Sequence, residues 1–372
     1  MDYTKSIESY FDKEIETIRS VPVTSIRKDL ELGSIETGSK DVNRLIRNVY
    51  WGQLSNYLSV PTDCPQRDER LGWTADTQVF APTALYLADV ARFLDAWMDD
   101  LADSQHANGA YPCVAPLGST GSAGPRFGWS DAGIVVPWTV WKHTGDAGIV
   151  KSHWDSMMRF LCHIDQTQYR TEPGGGQFGD WLSFEPMETC RDGLWKCADP
   201  EVLSWWAFLG GCHWRQDALR MGEMARAVGR DADAIWCMAS AERALSYLRS
   251  QMEDGRLPEV FRKMQTANLF ALRLGVFADP VRAGEAKATL LKNIAGRKHC
   301  LATGFLGTAF ILDELVELGE TETAYSLLLN HDFPSWLYEV DQGATTVWER
   351  WNSYTKKDGF GPVGMNSFNH YA

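Results

Sequence analysis

Val228-Gly-Arg-Asp231 separates two long helical patterns, residues 200 to 227 and 231 to 252, with almost nothing between them. Glycine takes the left-handed backbone that ends a helix, and the next Asp or Thr can cap the following one, so the stretch reads as the tip of a helical hairpin. The same junction recurs as His143-Thr-Gly-Asp146, Leu274-Gly-Val-Phe-Ala-Asp279 and Leu318-Gly-Glu-Thr321. Further helical patterns run from 132 to 143, 148 to 165, 265 to 275, 280 to 295, 303 to 318 and 321 to 330. Apolar residues at intervals of three to five predict one more helix from Asp41 to Leu58, stopped by Pro61. Another is predicted from about Thr77 to Leu101, with Pro82 in its first turns. Strand alternation is scarce, and the chain reads as all-α.

The short junctions alternate with long polar or Gly-rich links at 59 to 75, 104 to 131, 168 to 198 and 331 to 365. Hairpins with short links at one end and long links at the other predict a toroid or bundle whose site lies on the long-loop face. Residues 21 to 40 do not read as helix and suggest a short linker or strand. A length of 372 residues accommodates two average domains or one large helical one.

Composition removes several function classes. A net charge of -13 with no basic stripe disfavours nucleic acid. No apolar run reaches the roughly 20 residues needed to span a bilayer, and the N-terminus lacks a signal-peptide apolar segment, so a cytoplasmic location without membrane attachment is expected. The eight cysteines, at 64, 113, 162, 190, 197, 212, 237 and 300, form no CxxC pair and no zinc spacing; they read as free thiols of a reducing compartment. There is no HExxH, Walker A loop or GxSxG, and neither metal nor cofactor is expected. What stands out is 16 Trp beside 16 Phe and 12 Tyr, several of them in Gly-rich loops where core packing is a weaker explanation.

Two loops carry the chemistry. Pro61-Thr-Asp-Cys-Pro-Gln-Arg-Asp-Glu-Arg-Leu-Gly-Trp-Thr-Ala-Asp76 gathers Asp63, Asp68, Glu69 and Asp76 with Arg67 and Arg70. Composition alone makes it a surface loop with local ion pairs, but two prolines and Trp73 pin it. Thr345-Thr-Val-Trp-Glu-Arg-Trp351 sets Glu349 between Trp348 and Trp351; alone, Glu349 could equally be an exposed residue at a helix start. Phe127-Gly-Trp-Ser-Asp131 and Phe178-Gly-Asp-Trp181 share the aromatic-plus-acid character, and taken singly their residues read as packed tryptophans and capping aspartates. His370 is a lone histidine, more often structural than functional. Taken together, carboxylates, guanidinium groups and aromatic faces suit a polyhydroxylated sugar ring, and glycosidic cleavage needs two carboxyl groups.

Asp63 to Asp76 closely resembles the signature of bacterial α-L-rhamnosidases of glycoside hydrolase family 78. The likeness continues through Gly128-Trp-Ser-Asp131, Gly179-Asp-Trp181, Thr345 to Trp351 and Ser367-Phe-Asn-His370, and so covers roughly residue 30 to the end. It implies an (α/α)6 barrel, a toroid of six hairpins, that removes terminal α-L-rhamnose with inversion. On it the general acid falls at Glu69 and the general base at Glu349. Sugar contacts fall on Asp63, Arg67, Trp73, Asp76, Trp129, Trp181 and His370, and Asp180 and Trp348 are added from the same stretches.

The expected partners are rhamnose-containing glycosides, and no cofactor is implied. The expected organisation is a linker over 1–40 and a catalytic domain over 41–372, without the β-sandwich domains that flank the barrel in the family. Ala75 stands where the family usually has glycine, which is tolerated unless that position needs positive φ. Since Glu69 must carry a proton between Arg67 and Arg70, Arg67 is expected to point to sugar hydroxyls rather than to Glu69. An inverting pair is expected roughly 6.5 to 9.5 Å apart, against about 5 to 5.5 Å for a retaining one. The alternatives are another inverting glycosidase on the same barrel, such as a glucoamylase-like or unsaturated-uronyl hydrolase, or a catalytically silent rhamnose-binding module.

Overall fold

Two kinds of helix alternate along the chain in a computed structural model that describes residues 35–118, 124–169, 176–186 and 199–372. Ala91–Asp103 buries Leu94, Trp97, Met98 and Leu101, a single stripe at helical spacing. Pro280–Gly296 likewise buries only Ala286, Leu290 and Ile294. Between such helices come others buried nearly all round, such as Ala132–Thr144, with every residue from Ala132 to Pro137 enclosed, and Gln265–Arg273, enclosed from Gln265 to Ala271. A helix wrapped on all sides lies inside a ring of striped ones, and this alternation gives two concentric layers.

The enclosed helices pack in succession: Thr74–Leu87 on Ala132–Thr144, that on Pro200–Ala227, and that on Gln265–Arg273, which meets Phe305–Thr308 and Ile311–Glu317. Trp336–Asp341 then packs on Lys40–Asn56, bringing the two ends of the described chain together. The architecture is the expected all-α (α/α)6 toroid.

The hairpin tips follow their glycines. Gly145, Gly229, Gly275 and Gly319 all have positive φ, from 62° to 79°. Capping is more varied than expected. Asp279 accepts from Val281 N, but Asp231 and Thr321 stand inside their helices, with no side-chain cap at Arg230 or Glu320.

The expected helix from Thr77 to Leu101 is two, Thr74–Leu87 and Ala91–Asp103, because the chain crosses from the inner to the outer layer through extended Ala88. No glycine or proline marks that break, so the apolar period ran through it. The pattern at 303 to 318 is likewise divided, at Phe310, whose φ of -141° lets its ring meet Phe270 edge-on at 4.8 Å. Glu259–Arg262, Trp336–Asp341 and a two-residue ribbon, Tyr354–Thr355 with Gly359–Phe360, lie where the sequence showed only links. The expected linker over residues 1–40 falls almost wholly outside the described residues, as do Cys190, Cys197 and part of the 168 to 198 link. The six described cysteines are free thiols, and no described helix is long and apolar enough to cross a membrane.

The charged loop after Lys40–Asn56 is held by backbone. Asp63 N donates to Leu71 O at 3.0 Å, Asp63 Oδ1 accepts from Leu71 N at 2.8 Å, and Ala115 N donates to Gly72 O at 2.9 Å. A Cβ on Gly72 would stand 2.0 Å from Ala115 O. Gly72→Ala is therefore expected to lower stability by more than the ~1–3 kcal/mol typical of overpacking, because rigid backbone rather than a side chain would have to move. Chemical denaturation reads this, and an unchanged midpoint would contradict the close approach.

Candidate active site

Every long link at one end of the toroid sends side chains into one cavity of about 160 Å³. The loop ahead of Thr74–Leu87 supplies Asp63, Arg67, Glu69 and Trp73, and the first turn of that helix supplies Asp76. Trp129 comes from the turn before Ala132–Thr144, and Phe178 and Trp181 from the following link. Phe305 opens its own short helix, Glu349 comes from the last link and His370 from the segment just after it. These two segments run side by side, Glu349 N donating to Ser367 O at 3.1 Å and His370 N to Val347 O at 2.9 Å. Gln66 Nε2 donates to Ser367 Oγ at 2.7 Å and ties the charged loop to them.

Arg67 is the centre of the polar half. Its Nη1 lies 2.7 Å from Glu349 Oε2, while Nη2 and Nε lie 2.6 and 2.8 Å from Glu69 Oε2. Asp63 Oδ2 is 3.6 Å from Nη2. Arg67 thus engages Glu69, contrary to expectation. A half-buried guanidinium offers five donors, and the strongest acceptors within its reach are the two glutamates. Burial opposes its charge, but the Glu349 hydrogen bond and the charges of Glu349 and Glu69 outweigh it and raise the pKa. Trp73 Nε1 donates to Glu69 Oε1 at 2.7 Å, so both oxygens of Glu69 are engaged. Nη2 also donates to Glu349 Oε1 at 3.4 Å, so the two carboxylates meet at one nitrogen of the guanidinium.

Asp76 and His370 form a second buried pair, Oδ1 to Nε2, at 3.2 Å. Burial pushes the Asp76 carboxyl up to about 7, against the lowering influence of His370. Burial likewise raises the Asp63 carboxyl, and it pushes the Cys64 thiol up to about 12. Asp63, Cys64 and Glu69 bring ligand atoms within 4.8 Å of one another, but Arg67 already faces two of the three and the thiol holds its proton. They make a poor cation site. Ala75 is helical and wholly enclosed, so its Cβ meets no positive-φ requirement.

The aromatic half is organised by Phe178. Trp129, Trp181 and Trp73 surround it at ring-centroid distances of 4.6, 5.5 and 5.8 Å, and the Arg126 guanidinium covers it at 4.1 Å.

The structure thus brings together Glu69, Glu349, Asp63, Arg67, Trp73, Asp76, Trp129, Trp181 and His370. Two expected residues do not line the cavity. Asp180 is buried behind it, holding the backbone N–H groups of Gly304, Leu306 and Gly307. Trp348 faces a second cavity of about 450 Å³ that shares Trp181, Phe305 and Glu349 with the first. Sequence reading missed Phe178, although it lies in a stretch singled out for its tryptophan, and Phe305, which nothing nearby in sequence marked.

A helical toroid with two glutamates, a guanidinium and an aromatic wall converging at its long-loop face has the equipment that cleavage of a glycosidic bond requires. The chain belongs to the bacterial α-L-rhamnosidase six-hairpin glycosidase domain family, matched over residues 30–372. It is 36% identical over 347 residues to an α-L-rhamnosidase of Formosa agariphila, covering 92% of this chain and 36% of that protein. The crystal structure of Streptomyces avermitilis α-L-rhamnosidase complexed with L-rhamnose superposes with a TM-score of 0.80 at 35% identity, over 91% of this chain and 31% of that one. The enzyme from Aspergillus terreus gives a TM-score of 0.81 at 27% identity, over 92% of this chain and 39% of that one. The chain spans about a third of the length of the curated relatives it matches.

The Asp76 burial has a consequence for stability. An unfolded aspartate titrates near 4, and the folded one holds its proton to about 7. Between those values the unfolded state binds fewer protons, so this group's contribution is complete below about pH 4 and is lost as pH rises through 7. Asp76→Asn cannot ionise. The melting temperature of the wild type relative to this variant should fall from pH 4 to 7.5; a flat or rising difference would refute the burial account.

Proposed function

We propose that this chain is the catalytic barrel of an inverting, exo-acting α-L-rhamnosidase, with residues 41–372 as the catalytic unit. Glu69 protonates the glycosidic oxygen, and Glu349 takes a proton from the water that attacks the anomeric carbon. The observation that carries this reading is the joint engagement of Glu69 and Glu349 by Arg67 on one cavity. Inversion is carried over from the likeness of the Asp63 to Asp76 and Thr345 to Trp351 stretches to the family. The names of the relatives, and the L-rhamnose bound to the Streptomyces avermitilis enzyme, support the choice of sugar.

Binding proceeds through exchange of partners. Sugar hydroxyls compete for the Arg67 donors, which loosens its hold on Glu69. Asp63, Asp76 and His370 offer paired donors and acceptors to neighbouring hydroxyls, and the tryptophans cover the C–H face of the ring.

The test is hydrolysis of p-nitrophenyl α-L-rhamnoside with the product followed by NMR. The β anomer of free rhamnose should appear first, and Glu69→Gln and Glu349→Gln should each lower kcat at least ~100-fold. An α anomer appearing first would reverse the stereochemistry. Rhamnose binding by calorimetry without turnover would make the chain a sugar-binding module instead.

A further inference from the structure

Asp180 stands behind the cavity, and the groups it holds connect it to the sugar. Its fully buried carboxylate accepts from Gly304 N at 2.9 Å, Leu306 N at 2.8 Å and Gly307 N at 3.1 Å, and from the Thr266 hydroxyl. The next residue is tied to the same segment, Phe305 N donating to Trp181 O at 3.0 Å. The two backbones are in contact here: a Cβ on Gly304 would stand 2.1 Å from Trp181 O and 2.5 Å from Asp180 O. Trp181 and Phe305, 124 residues apart in sequence, are therefore parts of one rigid unit, and both line the cavity.

Among the described aromatic rings on the cavity, only Phe178 and Phe305 carry no heteroatom. Phe178 is buried beneath the three tryptophans, whereas Phe305 is half-buried. Phe305 stands edge-on to His370 at 5.7 Å, at the border between the polar and aromatic halves. It gives a bound ring a purely hydrocarbon surface next to the groups that take its hydroxyls. A methyl substituent meets that surface at no cost, while a hydroxymethyl would leave its hydroxyl without a partner.

We propose that Phe305, with Trp181, is the wall that selects a methyl over a hydroxymethyl on C5 of the sugar, and that Asp180 is the positioning residue that sets this wall. The proposal rests on the rhamnosidase reading above and extends it to the origin of the 6-deoxy selectivity.

Three p-nitrophenyl glycosides that differ only at C6 test it: the α-L-rhamnoside, the α-L-mannoside with an added hydroxyl, and the α-L-lyxoside with no C6. Wild type should prefer the rhamnoside over the mannoside by roughly 10–100-fold in kcat/KM. Phe305→Ala should lower kcat/KM for the rhamnoside about 10-fold more than for the lyxoside, mainly through KM. Asp180→Asn should shift the ratios in the same direction. Thr266→Val, which removes one donor to Asp180 at similar volume, should do so more weakly and covers the case in which Asp180→Asn does not fold. Equal losses on all three glycosides in the folded variants would overturn the assignment. A wild type that hydrolyses none of the three would overturn the rhamnosidase reading itself, an outcome distinct from the first.

Discussion

One guanidinium joins two stretches of chain 282 residues apart in sequence. Arg67 leaves a loop pinned by Pro61, Pro65 and the Gly72–Ala115 approach, and meets Glu349 on a segment paired with residues 367 to 370. A charged group this enclosed is stable only with its donors satisfied, and removing either glutamate would leave a partner charge under-compensated. The toroid's role is to bring the loop ends close enough for this ion pair to form. The inner helices, enclosed on all sides, fix where each loop begins, and the loops supply the chemistry.

Several buried carboxylates surround this centre, and their neighbours set their roles. Glu69 and Glu349 face the cavity and share Arg67. Asp76 faces it too, paired with His370 and shifted upward by burial. Asp180 turns away and spends its lone pairs on backbone N–H groups. Asp131 does the same at Gly128 N and the Tyr169 hydroxyl, beneath the turn that presents Trp129. Acids of one type thus divide into those available to a substrate and those that hold the wall in place, a division made by the donors each one meets.

The aromatic half follows similar logic. Phe178 has no polar atom to offer a sugar, yet three tryptophans of the cavity are arranged around its ring, and Arg126 covers it. Its position decides which faces the tryptophans show. Phe305 reaches the same cavity from a different part of the chain and depends on Asp180 for its place.

The amino-acid sequence by itself determined the helical hairpins, because a glycine in the left-handed region ends a helix wherever it occurs, and all four such glycines have positive φ. It also determined the chemical inventory of the site, since the motif from Asp63 to Asp76 and the glutamate at 349 are legible as residues. Only the tertiary structure decided the break at Ala88, where the chain changes layers without a glycine or proline to announce it. It alone decided that Arg67 clamps both glutamates, that Asp180 and Trp348 stand off the cavity, and that Phe305 lines it. Periodicity records how much of a helix is covered, a local property; the tasks of Glu349, Asp180 and Phe305 depend also on partners brought from distant parts of the chain, which no local pattern encodes.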